Sequence, residues 1–131
     1  MSLSRRHAIV AAIGLSLAVV VPAVALQMTK FSAAALAAAQ SSGKAVLIEI
    51  SAPWCPTCKA QKPILEKLLT SDKFKSFITL DIDFDSQKSD VAALKANMQS
   101  TLIVYKGSKE VGRSVGDTNA ASIEALLAKA L

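Results

Sequence analysis

The chain has 131 residues, of which 52% are hydrophobic and only 19% charged, a balance that suits one compact domain and excludes a disordered chain. The formal net charge is +5, but the lysines are scattered, without an arginine cluster or interleaved aromatics, which argues against a nucleic-acid partner. The single histidine, His7, falls in a segment expected to be removed, so a Cys-His pair, a Ser-His-Asp triad and a histidine metal site are all excluded from the mature chain.

At the N-terminus, Arg5 and Arg6 form a charged start, residues 8–21 an apolar run, and Pro22 breaks it. Ala23, Val24 and Ala25 then supply a small-x-small cleavage pattern, the layout of a secretory signal. Cleavage after Ala25 would leave residues 26–131 as one domain in an oxidising compartment, in a bacterium most simply the periplasm. The other reading is a membrane anchor over residues 8–25, which is at the short end of what spans a bilayer. Ser4, Arg5 and Arg6 also look like the start of a twin-arginine signal, with Sec export as the default.

A short strand is expected around residues 26–28. The alanine-rich residues 31–40 predict a helix that starts at Thr29 or Ser32 and stops at Ser41, Ser42 and Gly43. Residues 45–50 are too short and too uniformly apolar for a surface helix and predict a buried strand, with Glu49 as its one ionisable residue. A helix over about 56–69 follows, then a strand over 77–83. Asp81, Asp83 and Asp85 alternate at that strand's end and read as a solvated terminus, because a calcium loop would need a glycine and a spaced glutamate.

Val91, Leu94 and Met98 fall at helical spacing and predict a short helix over about 89–96. Residues 101–105 and 110–115 predict two strands of a hairpin turning at Lys106, Gly107 and Ser108. Ile123, Leu126, Leu127 and Ala130 make the apolar face of a closing helix. Alternating elements with a terminal hairpin predict an α/β fold, a mixed sheet covered on both faces.

Both cysteines of the chain, Cys55 and Cys58, lie at the junction between the buried strand and the next helix. If Cys55 caps that helix, Pro56 falls at the first turn, where a missing N–H costs nothing. The N–H groups of Thr57 and Cys58 then point at the Cys55 sulfur, and the positive end of the helix dipole favours its thiolate. Lys59 adds a cation one turn on. Cys55 is thus the expected nucleophile, and Cys58, on the same helix face, the thiol that attacks a mixed disulfide and releases the partner. A purely structural bridge across three residues would remove little chain entropy, and zinc asks for four ligands where two sulfurs are on offer. Glu49, desolvated in its strand, should hold a proton near neutral pH.

The run from residue 45 to Ser51, Ala52, Pro53, Trp54 and Cys55-Pro56-Thr57-Cys58-Lys59 resembles the central strand and active-site turn of the thioredoxin family. Pro63, Ile64 and Leu65 match its helix-kinking proline and the apolar residues after it, and the resemblance extends over residues 28–131. It implies a thioredoxin fold, with a central mixed β-sheet flanked by helices on both faces. It implies an exported thiol-disulfide oxidoreductase of the protein-disulfide reductase type, serving redox homeostasis through a Cys55–Cys58 disulfide. Glu49 stands where the family carries a buried acid that serves the resolving cysteine. Trp54, Pro56 and Thr57, with Gln99, Ser100 and Thr101 opposite, are the expected substrate-binding surface.

Protein disulfides or dithiols are the implied substrates and a membrane or periplasmic redox protein the implied partner. No organic cofactor is implied, and a monomer is expected. No histidine lies between the cysteines, which removes one device for deep thiolate stabilisation and leans the chemistry towards reduction.

The chain departs from the family just before residue 101. The family places a cis-proline opposite the two cysteines, whereas Ser100 stands here and no proline follows Pro63. A cis bond without proline costs roughly 2.5–4 kcal/mol, so a trans bond and an altered loop are expected. Two consequences are open: the Ser100 hydroxyl hydrogen-bonds a sulfur and helps the thiolate, or the lost ring opens the pair to metal. The second defines an alternative function, a thioredoxin-fold module that holds copper or an iron–sulfur cluster through the two cysteines.

Overall fold

The computed structural model describes residues 26–131, and the expected export segment lies outside them. Its five strands and four helices run β1 (Met28–Lys30), α1 (Ala33–Ser41), β2 (Ala45–Ser51), α2 (Pro56–Leu69), β3 (Ile78–Asp83), α3 (Lys88–Ala93), β4 (Thr101–Lys106), β5 (Lys109–Val115) and α4 (Ala120–Ala128). The sheet order is β1-β3-β2-β4-β5. β1, β3 and β2 are parallel, and β4 and β5 return antiparallel, the mixed sheet that the terminal hairpin predicts.

β2 lies at the centre because its side chains are apolar on both faces. Val46, Ile48 and Ile50 point to one side, where they pack with Phe31, Leu80, Ile82, Ile103 and Tyr105 beneath α1 and α3. Leu47 points to the other, against Leu65, Leu69, Phe74, Leu102, Ile123 and Leu127 beneath α2 and α4. Period-two alternation therefore turns Glu49 and Ser51 to the α2 side of the sheet. That side is where the cysteines sit.

Two boundaries depart from the sequence expectation in ways that matter here. The first strand is Met28–Lys30 rather than 26–28, because its backbone pairs with Thr79, Leu80 and Asp81 of β3. The helix expected over 89–96 ends at Ala93, since Lys95 takes a left-handed φ of 54° that no helix continues through. Met98 consequently leaves the apolar face it was expected to share and is exposed. Of the two starts open to the first helix, Ser32 is the cap: its hydroxyl accepts the Ala35 N–H at 3.0 Å.

The closing helix is capped by Asn119, whose side-chain oxygen accepts the Ser122 N–H at 3.0 Å. Asn119→Ala is expected to cost about 1 kcal/mol and to lower Tm by roughly 4–8 °C. A thermal melt checks this, and an unchanged Tm would show that the cap contributes nothing here.

Candidate active site

The turn between β2 and α2 brings both sulfurs to the carboxyl end of the central strand. Cys55 has extended backbone angles, φ −80° and ψ 111°, and is the N-cap of α2, with Pro56 in the first turn. Its Sγ accepts the Cys58 N–H at 3.1 Å. The capping geometry inferred from Cys-Pro-Thr-Cys is thus present, served by the Cys58 amide. The two cysteines are joined as a disulfide, and both are buried, Cys55 at 1% exposure. Pro63 lies inside α2.

Around them the surface is built by exposed neighbours. Trp54 is 55% exposed and donates its ring N–H to Asp85 at 2.7 Å, which ties the indole beside Cys55. Pro56 is exposed and Thr57 half-buried. The loop before β4 faces the sulfurs, because antiparallel pairing sets Thr101 against Ile50 and so puts Ser100 at the carboxyl end of β2. Gln99 is half-buried, while Thr101 is buried and its hydroxyl donates to the Met98 carbonyl at 2.6 Å.

Ser100 has the most unusual backbone of the site. Among the described residues there is no cis peptide bond, and Ser100 adopts a left-handed φ of 59°. A non-glycine residue held there costs about 1–3 kcal/mol, so the surroundings must over-determine it. They do so through its carbonyl, which accepts the Gly116 N–H at 2.9 Å and the Gln61 amide at 3.3 Å. The result is that Ser100 Oγ lies 3.0 Å from Cys55 Sγ and 3.1 Å from Cys58 Sγ.

Gln61 itself is fully buried and donates also to the Asp117 carbonyl at 2.7 Å, while its own amide oxygen has no partner among the described residues. Gln61 is not among the site residues expected from the sequence. Its signal was there to find, since Cys58, Gln61 and Leu65 share the buried stripe of α2, and a glutamine on that stripe needs a reason.

On the other side of Cys58 opens a cavity of about 370 Å³, lined by Glu49, Ser51, Cys58, Lys62, Asp81 and Asp83. It is wide enough for water. Glu49 is buried, and its carboxyl is pushed up to about 7, chiefly by desolvation and then by the Asp81 charge, with Lys62 opposing. Asp81 is the register partner of Glu49 on β3, so both point to the same side of the sheet. Its carboxyl is also raised, by burial against the bond it accepts from the Ser51 hydroxyl at 3.1 Å. Two carboxyls on one face of the sheet raise one another, because neither gains from a second negative charge beside it.

The acidic run is therefore not simply a solvated strand end. Asp81 faces the cavity, Asp85 holds Trp54, and Asp83 accepts the Ser86 N–H and hydroxyl, each at 2.8 Å, keeping its carboxyl below the usual range. Among the described residues, no group of three or more His, Cys, Asp or Glu side chains is arranged to hold a metal ion. The site can perform disulfide exchange: a capped sulfur at a helix start, a second sulfur within bonding reach, and an acid able to move a proton at a cavity that reaches the second.

Comparison with known proteins agrees. The family model described as Thioredoxin matches residues 23–129. Thioredoxin-2 of Saccharomyces cerevisiae is 42% identical over 88 residues, covering 66% of this chain and 81% of the yeast protein. Thioredoxin of Chlamydia muridarum is 34% identical over 84 residues, 64% of this chain and 80% of its own length. Among solved structures, Trxlp from Edwardsiella tarda superposes with a TM-score of 0.74 at 35% identity, covering 77% of this chain and 98% of that one.

Proposed function

From the premise that the chain belongs to the thioredoxin family, whose members are thiol-disulfide oxidoreductases, we propose that it is exported and reduces or exchanges disulfides of protein substrates in the periplasm. The observation that carries the redox reading is the capped Cys55 sulfur, 3.1 Å from the Cys58 amide and paired with the Cys58 sulfur. Export is supported by Arg5 and Arg6, the apolar run and the Ala23-Val24-Ala25 pattern.

In the reductive direction the Cys55 thiolate attacks a substrate disulfide. One S–S bond forms, the substrate's breaks, and its second sulfur leaves as thiolate. Cys58 gives its proton to the ionised form of Glu49, whose carboxyl at about 7 makes that form available near neutral pH, and attacks Cys55 Sγ, which releases the substrate's first sulfur and closes the Cys55–Cys58 bond. A membrane or periplasmic dithiol partner would return the pair to the reduced form.

The test is trapping with Cys58→Ser expressed in the native host. Mixed disulfides between Cys55 and periplasmic proteins are the expected product. Conjugates with cytoplasmic proteins alone would overturn the assignment to the periplasm. A stoichiometric copper or iron–sulfur centre in anaerobically purified protein, competing with thiol titration, would replace this reading with the metal-holding module.

A further inference from the structure

We infer that the Ser100 hydroxyl is a catalytic hydrogen-bond donor that turns between the two sulfurs, serving whichever one carries the negative charge. The inference rests on the oxidoreductase reading of the same site. One buried oxygen lies 3.0 Å and 3.1 Å from the two reacting atoms, on a strained backbone whose carbonyl is held from two sides. A hydroxyl has a single proton to donate and free rotation about its C–O bond. A disulfide has no proton, so in the oxidised state Ser100 is the donor and can satisfy only one sulfur at a time.

Each half-reaction makes a different sulfur anionic. When a substrate thiolate attacks Cys55 Sγ, a bond forms between them, the Cys55–Cys58 bond breaks, and the electron pair leaves on Cys58. When a second substrate thiolate then attacks the substrate sulfur of the mixed disulfide, the electron pair leaves on Cys55. The hydroxyl reaches both atoms without moving the backbone, so the same donor stabilises the leaving thiolate in both steps. In the reductive direction the same bonds hold the attacking thiolates in place. Once Cys55 is anionic and Cys58 protonated, Oγ donates to the first and accepts from the second, completing a chain from S–H through O–H to S⁻.

The equilibrium consequence follows, because a donor that favours thiolate over disulfide stabilises the reduced protein. Ser100 therefore makes this chain a weaker reductant than it would be without the hydroxyl. One charge-assisted hydrogen bond is worth about a factor of ten.

The experiment compares Ser100→Ala and Ser100→Gly with the native protein. Both lack the hydroxyl, but alanine keeps the left-handed strain and glycine releases it. Cys55 alkylation against pH and the equilibrium with glutathione are the readouts. In both variants the thiol's midpoint should rise by about one pH unit, and the disulfide should be favoured about tenfold, which is about 30 mV for a two-electron couple. Native values in both variants, or a shift in Ser100→Gly alone, would overturn the assignment, the latter showing that the loop's backbone sets the chemistry. Failure of the native protein to exchange protein disulfides would sink the oxidoreductase reading instead, and the titration, read on the cysteine itself, decides Ser100 separately.

Discussion

Cys55→Ser is expected to reduce protein-disulfide exchange to the uncatalysed background, while Cys58→Ser retains one round of attack and stops at the mixed disulfide. Exposure alone would favour the other assignment, because Cys58 borders the cavity and Cys55 is the more buried of the two. Thiolate stabilisation decides against it. The sulfur at the N-cap receives the Cys58 N–H and the positive end of α2, whereas Cys58 lies within the helix beside an acid. A serine hydroxyl at position 55 stays protonated at neutral pH and forms no disulfide.

Loss of the bridge costs about 2 kcal/mol by loop entropy, since so few residues are enclosed. That is a fraction of the 5–15 kcal/mol typical of a domain, so the variant should remain folded. Circular dichroism and a quenched single-turnover assay check both statements. Equal trapping by Cys55→Ser and Cys58→Ser would show that nucleophile and resolver have been interchanged.

Glu49→Gln is expected to stabilise the oxidised protein in alkaline solution and to slow release of the mixed disulfide. Burial raises the Glu49 carboxyl from 4.5 to about 7, so the folded state binds its proton more tightly than the unfolded state does. Stability from this group is complete below about 4.5 and is lost as pH rises through about 7. At about 1.4 kcal/mol per pH unit, the rise from 4.5 to about 7 makes the loss roughly 3–4 kcal/mol. Glutamine has the same shape without the charge, so the variant should gain up to that amount at pH ~8 and nothing below pH ~4.5.

Asp81, Lys62 and Glu66 also act on this carboxyl, Lys62 against the rise and the other two with it. Urea unfolding at the two pH values measures the difference. The kinetic counterpart is a slower Cys58 step that no longer varies near pH 7. Equal stability of variant and native protein in alkali would mean that Glu49 reaches solvent and holds no unusual proton.

What was legible in the sequence was what neighbours along the chain decide. The cap at Cys55, the proline in the first turn, the buried strand and the apolar stripes all depend on residues within about a turn of one another. Such features follow from backbone geometry and side-chain period, and each of the larger elements predicted is present. The errors were also local in origin: Met98 kept the helical spacing, but Lys95 had already left the helical region, and hydrophobic periodicity carries no record of a backbone reversal.

The rest of the site was decided by strand register. Asp81 shares a cavity with Glu49 because β3 pairs with β2 in parallel, residue 81 against residue 49. Ser100 meets both sulfurs because β4 pairs with β2 so that Thr101 lies against Ile50, and because Gln61 and Gly116 hold its carbonyl. The Asp81–Ser51 bond joins residues 30 positions apart, and the Ser100–Cys55 contact residues 45 apart. The sequence by itself determined that two sulfurs stand at a helix start behind a buried acid-bearing strand, since short-range sterics and hydrogen bonding suffice for that. The tertiary structure decided that the Ser100 hydroxyl reaches both sulfurs at once and which second carboxyl shares the cavity, because a one-residue slip in either pairing would turn those side chains to the opposite face of the sheet.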